Sequence, residues 1–311
     1  MPVKTPKLGV LIQFWRLKLK DIKLKVLILG GGVSEDIIAS KVKESEILDI
    51  LFLSKDISNE VNIEITANIL NFIKKYNIEL VILTSKKYLS NGLIELLKSN
   101  KILTIGPDLQ IASNRRELRD FLQQQSIPTL PCRDIDNVEA GRSYSEKIGF
   151  PVIVKTDDFI ISKTNVCYSE EEVKEFLTYA IKDKIYGEKG SLTVIEKLFP
   201  GKILSIGVLI QNTFIMTLPY CYHFDDQFAS SFIQTVHIPH LDVDKKITSN
   251  IERLILFPLV HRINRKFPDY SGILWITVLI GEKGTYFFDL DTGFDPLFTS
   301  TIFSKIGRAH V

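Results

Sequence analysis

Four consecutive apolar residues, Leu80-Val81-Ile82-Leu83, leave a strand with no face for water, because successive side chains point to opposite sides of an extended chain. A strand of that kind is buried on both faces, the condition met inside a parallel sheet covered by helices. The flanking sequence agrees. Leu24–Leu29 is largely apolar with β-branched content and runs into Gly30-Gly31-Gly32, then a helical stretch carrying Ile37, Ile38 and Val42. Ile65, Ile69, Phe72, Ile73 and Tyr76 recur at helical spacing ahead of the apolar strand. Residues 93–97 predict a further helix and residues 102–105 a strand closed by Gly106-Pro107. Residues 24–109 are therefore expected to form an open, Rossmann-like α/β domain.

After that point the rhythm changes. Asn114 with Glu117 has the capping-box arrangement before a helix bearing Leu118, Phe121 and Leu122, which Ser126-Ile127-Pro128 ends. Residues 151–155 and 165–168 predict a hairpin. Ser169 with Glu172 caps a helix whose Val173, Phe176, Leu177, Ala180 and Ile181 share one face. Strands then dominate over residues 193–196, 203–211 and 214–218, followed by a helix over 251–265. Residues 272–280 and 285–291 predict a second hairpin across Glu282-Lys283-Gly284.

Charge and cysteine usage narrow the function. The 39 basic and 37 acidic residues leave a net charge of only +2 in 311 residues, without the broad basic footprint of a nucleic-acid binder, so a small-molecule ligand is expected. Cys132, Cys167 and Cys221 have no paired spacing, which argues against a zinc ribbon or disulfide framework and fits the cytoplasm. No run approaches the roughly 18 to 20 apolar residues of a membrane span, so no membrane partner is expected either.

The most specific feature is the order of five short signals. Gly106-Pro107 precedes a helix with Arg115; Pro-Val-Ile-Val-Lys ends at Lys155; Lys163 follows in the next turn; Val-Ile-Glu-Lys-Leu-Phe-Pro-Gly holds Glu196; and Phe-Phe-Asp-Leu-Asp-Thr-Gly-Phe-Asp-Pro closes the set with Asp289 and Asp291. In these residues the chain resembles the phosphoribosylamine–glycine ligases, the glycinamide ribonucleotide synthetases of purine biosynthesis. Their pattern runs I-G-P, S-K-x-F-x-K-D-F-L, P-x-V-V-K-A-D-G-L-A-x-G-K-G-V, V-I-E-E-x-L-x-G-E-E and E-F-N-x-R-F-G-D-P. The likeness extends from about Lys25 to Thr301. It implies an α/β architecture: a Rossmann-like pre-ATP-grasp domain over 24–109, then an α+β ATP-grasp domain of two lobes over 110–305, the small lobe over about 130–195. It implies ATP with Mg²⁺ (or Mn²⁺), and small-molecule carboxylate and amine substrates joined through an acylphosphate. Lys155 and Lys163 match the family's phosphate-contacting lysines, and Arg115 replaces a third with its charge kept. Glu196 and Leu198 stand at the adenine end of the site, where residues 196–198 offer backbone groups to the base. Asp289 and Asp291 stand at the metal ligands, and side chains two apart on a strand point the same way.

The departures support a second reading, a catalytically degenerate ATP-grasp scaffold that binds nucleotide or protein. Asp158, Ser162 and Thr164 replace glycines between the two lysines, Lys202-Ile203 replaces an acidic pair, and Gly293 replaces an arginine. Thr84-Ser85-Lys86 replaces the family's G-P-E. In residues 222–240, where the family has N-T-G-G-M-G, stand His223, His237 and His240, whose spacing fits no tight metal pattern and reads as hydrogen-bonded loop histidines. A dinucleotide-binding reading rests on Gly30-Gly31-Gly32 alone, since Asp49 precedes the second apolar run rather than ending it. Residues 1–23 are expected to be a loose extension or the product of a start codon chosen too far upstream. Residues 306–311, Ile-Gly-Arg-Ala-His-Val, match one frame of a common sequencing-adapter oligonucleotide and are expected to be non-native, with the gene cut short after Lys305.

Overall fold

A computed structural model describes residues 23–58, 62–89, 91–107, 115–157, 163–211, 214–224, 235–237 and 244–303. Asn114, Asp158, Ser162, His240 and the 306–311 tail, singled out above, lie outside them. The first unit is a parallel sheet in the order β2-β1-β3-β4, formed by β1 (Leu24–Leu29), β2 (Leu48–Leu53), β3 (Leu80–Leu83) and β4 (Leu103–Ile105). Helices α1 (Val33–Val42), α2 (Thr66–Tyr76) and α3 (Leu93–Ser99) connect the strands. Both faces of β1 are buried, as an apolar run demands. Leu27 and Leu29 pack with Ile69, Phe72 and Leu93 on one side, while Val26 and Ile28 join a different core on the other.

That second core ties the parallel sheet to the rest of the chain. It holds Ile38 of α1 together with Ile273 and Trp275 of strand β12 (Ser271–Gly281), and with Phe298, Ile302 and Phe303 of the last helix (Pro296–Phe303). A buried hydrogen bond crosses the joint, Ser34 Oγ donating to the Phe294 carbonyl at 2.7 Å, and behind it Trp275 Nε1 donates to the Gly293 carbonyl at 2.9 Å. The parallel unit therefore shares its core with the chain's end rather than closing on its own helices alone.

Between them lie two antiparallel sheets. A small one runs β5-β8-β6-β7, with β5 (Cys132–Ile135), β6 (Val152–Thr156), β7 (Thr164–Cys167) and β8 (Thr193–Lys197). Helices α5 (Val138–Ile148) and α6 (Glu170–Leu177) cover one face of it; α4 (Arg115–Gln124) precedes it in the chain. The large sheet runs β11-β10-β9-β12-β13, with β9 (Gly201–Gln211), β10 (Phe214–Phe224), β11 (Thr235–His237) and β13 (Gly284–Thr292). The expected cap of α6 is present: the Glu172 N–H donates to Ser169 Oγ at 3.3 Å. The hairpin β12–β13 closes at the pair Gly281 and Gly284, and β10 runs six residues past the expected end at 218, to Phe224. His223 and His237 thus lie on the paired strands β10 and β11 instead of a loop, which corrects that expectation for these two. Strand β5 and helix α5 have no counterpart in the sequence reading. The α5 cap, where the Ala140 N–H donates to Asn137 Oδ1 at 2.8 Å, was its readable signal.

Candidate nucleotide cleft

Register decides which side chains of the small sheet share a face. Cys132 opposes Glu196 and Asp134 opposes Val194 across β5 and β8, while Lys155 opposes Val194 across β6 and β8. Directly opposed residues project to the same side, so Cys132, Asp134, Val194, Glu196 and Lys155 form one face and leave Val152, Val154 and Ile195 to the core under α5 and α6. Helix α4 lies over the first face with Arg115, Leu118, Arg119 and Leu122, residues spaced to share a helix side. Strand β13 contributes Phe287, Phe288 and Asp289. Together these walls line a narrow cleft of about 30 Å³, partly open to solvent.

The cleft's charges are paired across the elements. Lys155, 1% exposed, places its ammonium 2.9 Å from Glu196, donates to the Phe288 carbonyl at 2.8 Å and sits over the Phe288 ring. Arg115, 9% exposed, bonds Asp289 Oδ1 at 2.8 Å and the Thr156 carbonyl at 3.0 Å. The start of α4 is capped from a distance: the Arg116 N–H donates to Asp157 Oδ1 at 2.8 Å. Burial pushes the Asp157 carboxyl up, with Arg116 pulling against it. Burial also works against ionised Asp289, yet the Arg115 and Lys155 charges outweigh it and hold that carboxyl below the usual range.

Asp291, two residues along β13, is neutralised by a different cation. Lys86, in the short helical turn Lys86–Leu89 after β3, forms a close ion pair with it. Burial raises the Asp291 carboxyl, Lys86 offsets part of that rise, and Asp295 adds to it. Arg115, Lys155, Glu196 and Asp289 of the expected residues thus line one cleft, while Asp291, two residues further along β13, lies outside its lining. Lys163 stands at the head of β7, exposed, with its backbone paired to Thr156. Leu198 is buried among Leu130, Ile153 and Phe288, and its N–H donates to the Pro151 carbonyl at 3.3 Å, so that donor is engaged within the protein. Among the described residues no group of three His, Cys, Asp or Glu is placed to hold a metal ion. Lys86 and Arg119 were not anticipated as participants. Arg119 was readable as the residue one helical turn beyond Arg115, whereas Lys86 reaches β13 only through the fold.

The glycine turn after β1 has its own anion in place. The buried Glu35 carboxylate accepts from the Gly31 N–H in a close contact and from the Ser54 N–H at 2.6 Å. Gly30 is required there because a Cβ would lie 1.9 Å from Thr84 Oγ1.

Solved structures place this architecture. The Bacillus anthracis D-alanine–D-alanine ligase complexed with ATP superimposes with a TM-score of 0.63 at 14% identity, covering 91% of this chain and 90% of that one. The Thermotoga maritima phosphoribosylamine–glycine ligase does so with a TM-score of 0.66 at 15% identity, over 90% and 72%. The fold is that of the ATP-grasp proteins: an α/β N-terminal domain followed by an ATP-grasp domain, as the sequence resemblance implied. Two family descriptions tile nearly the whole described chain, the phosphoribosylglycinamide synthetase N domain over residues 24–113 and the phosphoribosylglycinamide synthetase ATP-grasp (A) domain over 113–296. The chain belongs to the phosphoribosylglycinamide synthetase family. Relatives include the phosphoribosylamine–glycine ligase of Fusobacterium nucleatum, 24% identical over 282 residues that cover 85% of this chain and 66% of the relative. That of Streptococcus suis is 23% identical over 304 residues, covering 91% and 72%. The chain spans about two thirds of the length of such relatives. No described helix is long and apolar enough to cross a membrane.

Proposed function

We propose that the chain is an ATP-dependent carboxylate–amine ligase resembling phosphoribosylamine–glycine ligase, acting on free small molecules in the cytoplasm without a nucleic-acid or membrane partner. The observation that carries this reading is the convergence of Arg115, Lys155, Glu196 and Asp289, from α4, both inner strands of the small sheet and β13, on one cleft. In the proposed division, residues 24–109 are the pre-ATP-grasp domain and 110–305 the ATP-grasp domain, with its small lobe over about 130–195. The small sheet, from Cys132 to Lys197, supports that division.

In the proposed reaction a substrate carboxylate oxygen attacks the γ-phosphorus of ATP, the bond to ADP breaks, and an acylphosphate forms. The amine then attacks the acyl carbon, phosphate leaves with the bonding pair, and the amine surrenders its proton to solvent as the amide forms. Arg115, Lys155 and Lys163 supply positive charge for the phosphates, and Glu196 with the segment to Leu198 borders the base. Asp289 and Asp291 present hard oxygen donors on one side of β13, a set that fits Mg²⁺ (or Mn²⁺) when nucleotide phosphates complete the coordination, since Mg²⁺ is commonly held by one or two carboxylates plus substrate oxygens. When bound, that ion would neutralise phosphate charge. Ligand entry then requires Arg115 and Lys86 to exchange carboxylate partners for phosphate.

Calorimetric titration of Mg²⁺-ATP into the wild type and a Lys163→Ala variant tests the reading, because Lys163 is exposed and its removal leaves the core untouched. Saturable binding weakened in the variant, with phosphate released when carboxylate and amine pairs are supplied, is the expected result. No binding at millimolar ATP overturns it. One observation favours the degenerate-scaffold reading, the engagement of the Leu198 N–H with Pro151; ATP binding without phosphate release for any pair decides for that alternative.

A further inference from the structure

Arg119 carries charge that no expected role uses. It lies on the cleft wall, 12% exposed, one helical turn beyond Arg115, and is anchored from behind by Asp134, whose Oδ2 accepts from Nη2 at 2.5 Å. Nη1 of the same guanidinium is buried with no hydrogen-bond partner among the described residues. A buried donor left unpaired is costly, and one on a charged group more so. The neighbouring Cys132 thiol is at best a weak acceptor. The rest of the cleft lining combines the apolar Leu118, Leu122, Leu130 and Val194 with Thr129 and Glu196, neither of which bonds Nη1.

Sheet geometry separates this donor from Lys155. Asp134 and Cys132 belong to β5, and Lys155 to β6, with β8 between them, so the anchor of Arg119 and Lys155 are roughly 10 Å apart across the sheet. Arg119 is therefore a second polar station along the cleft rather than part of the Lys155 cluster.

We propose that Arg119 is a direct binding residue for the nucleotide, its Nη1 donating to an acceptor atom of the ligand while Asp134 holds the guanidinium in place. This rests on the nucleotide reading of the cleft. Two ligand regions supply such acceptors, the phosphates and the nucleoside, and the test separates them.

The experiment compares wild type, Arg119→Gln and Asn137→Ala by calorimetry with ATP and with inorganic tripolyphosphate, each in Mg²⁺, alongside thermal midpoints. The expected result is a loss of ATP affinity of about tenfold or more in Arg119→Gln. Asn137→Ala, which removes the α5 cap away from the cleft, lowers the midpoint and holds ATP affinity within about twofold. If tripolyphosphate weakens in parallel with ATP, the contact is to phosphate; if tripolyphosphate is unchanged, the contact is to the nucleoside. Unchanged ATP affinity in Arg119→Gln overturns the proposal while the nucleotide reading stands. Equal losses in both variants also overturn it, because they assign Arg119 a role through the fold alone. A wild type that binds no ATP overturns the inference and the reading together.

Discussion

Lys155→Met isolates the energetics of the cleft's most buried charge. The lysine's ammonium is enclosed at 1% exposure between Glu196 and the Phe288 carbonyl. Methionine retains most of the apolar stem, so the loss is chiefly electrostatic. Removing one partner of a buried ion pair typically costs 3 to 5 kcal/mol, because the other charge stays desolvated. Glu196 is 19% exposed and retains some contact with water, which places the expected cost near the lower end, about 3 kcal/mol. Glu196→Gln alone leaves the ammonium with the Phe288 carbonyl and ring as its remaining partners and is expected to cost about 2 kcal/mol. The double variant buries no charge from this pair and should lose only about 2 kcal/mol in total, giving a coupling of about 3 kcal/mol. Urea unfolding of the four proteins at pH 7, with equal slopes across the set, measures the cycle. A Lys155→Met cost below about 1 kcal/mol, or a double variant as unstable as the two single losses added, refutes the argument that the pair is energetically coupled.

Three further outcomes follow from the same geometry. The two β13 aspartates should respond to amidation with opposite signs: Asp289→Asn destabilises at pH 7, because it removes the ion pair with Arg115, while Asp291→Asn stabilises, because burial already disfavours its charge. The Asp289 contribution, with its folded pKa depressed, is present above the unfolded value of about 3.9 and disappears as pH falls through the lower folded value. The Asp291 penalty, with its folded pKa raised, is absent below about 3.9 and grows as pH rises to the folded value, so unfolding curves between pH 3 and 7 read both. Gly207→Ala places a Cβ 2.6 Å from Trp275 Cζ3 and 2.8 Å from Leu218 Cδ1, and should cost about 1 to 3 kcal/mol with a changed Trp275 emission. Asn137→Ala removes the α5 cap and should cost about 1 kcal/mol in the urea midpoint without altering ATP affinity.

The apolar strands and helix faces were legible because burial imposes a period on sequence. Leu80–Leu83 read as doubly buried and is, between two cores. What the pattern left out was short or polar. Strand β5, Cys-Arg-Asp-Ile, carries one fully buried residue, Ile135, and owes its place to pairing with β8 rather than to any periodicity of its own. The last helix, α7 (Pro296–Phe303), buries Phe298, Thr299, Ile302 and Phe303 in the core it shares with α1 and β12, but its eight residues, with Thr299, Ser300 and Thr301 at their centre, are too few and too mixed to show a clear helical period.

The site divides along the same line. Lys155, Glu196 and Asp289 were recognisable by motif order, but sequence order says nothing about the counter-charges they meet. Asp289 and Asp291 share a strand face and differ in partner: the helix that carries Arg115 lies over one, and the turn after β3 brings Lys86 to the other. Those two ion pairs join segments 174 residues apart in one case and the turn after β3 to β13 in the other. They leave Asp289 and Asp291 paired with Arg115 and Lys86 before any ligand enters, as Glu196 is with Lys155. A nucleotide must therefore compete with Glu196, Asp289 and Asp291 for Lys155, Arg115 and Lys86. An exposed cation such as Lys163, or a buried donor with spare capacity such as Arg119 Nη1, offers affinity without that exchange, and affinity lost on removing either should exceed what its contribution to folding stability suggests.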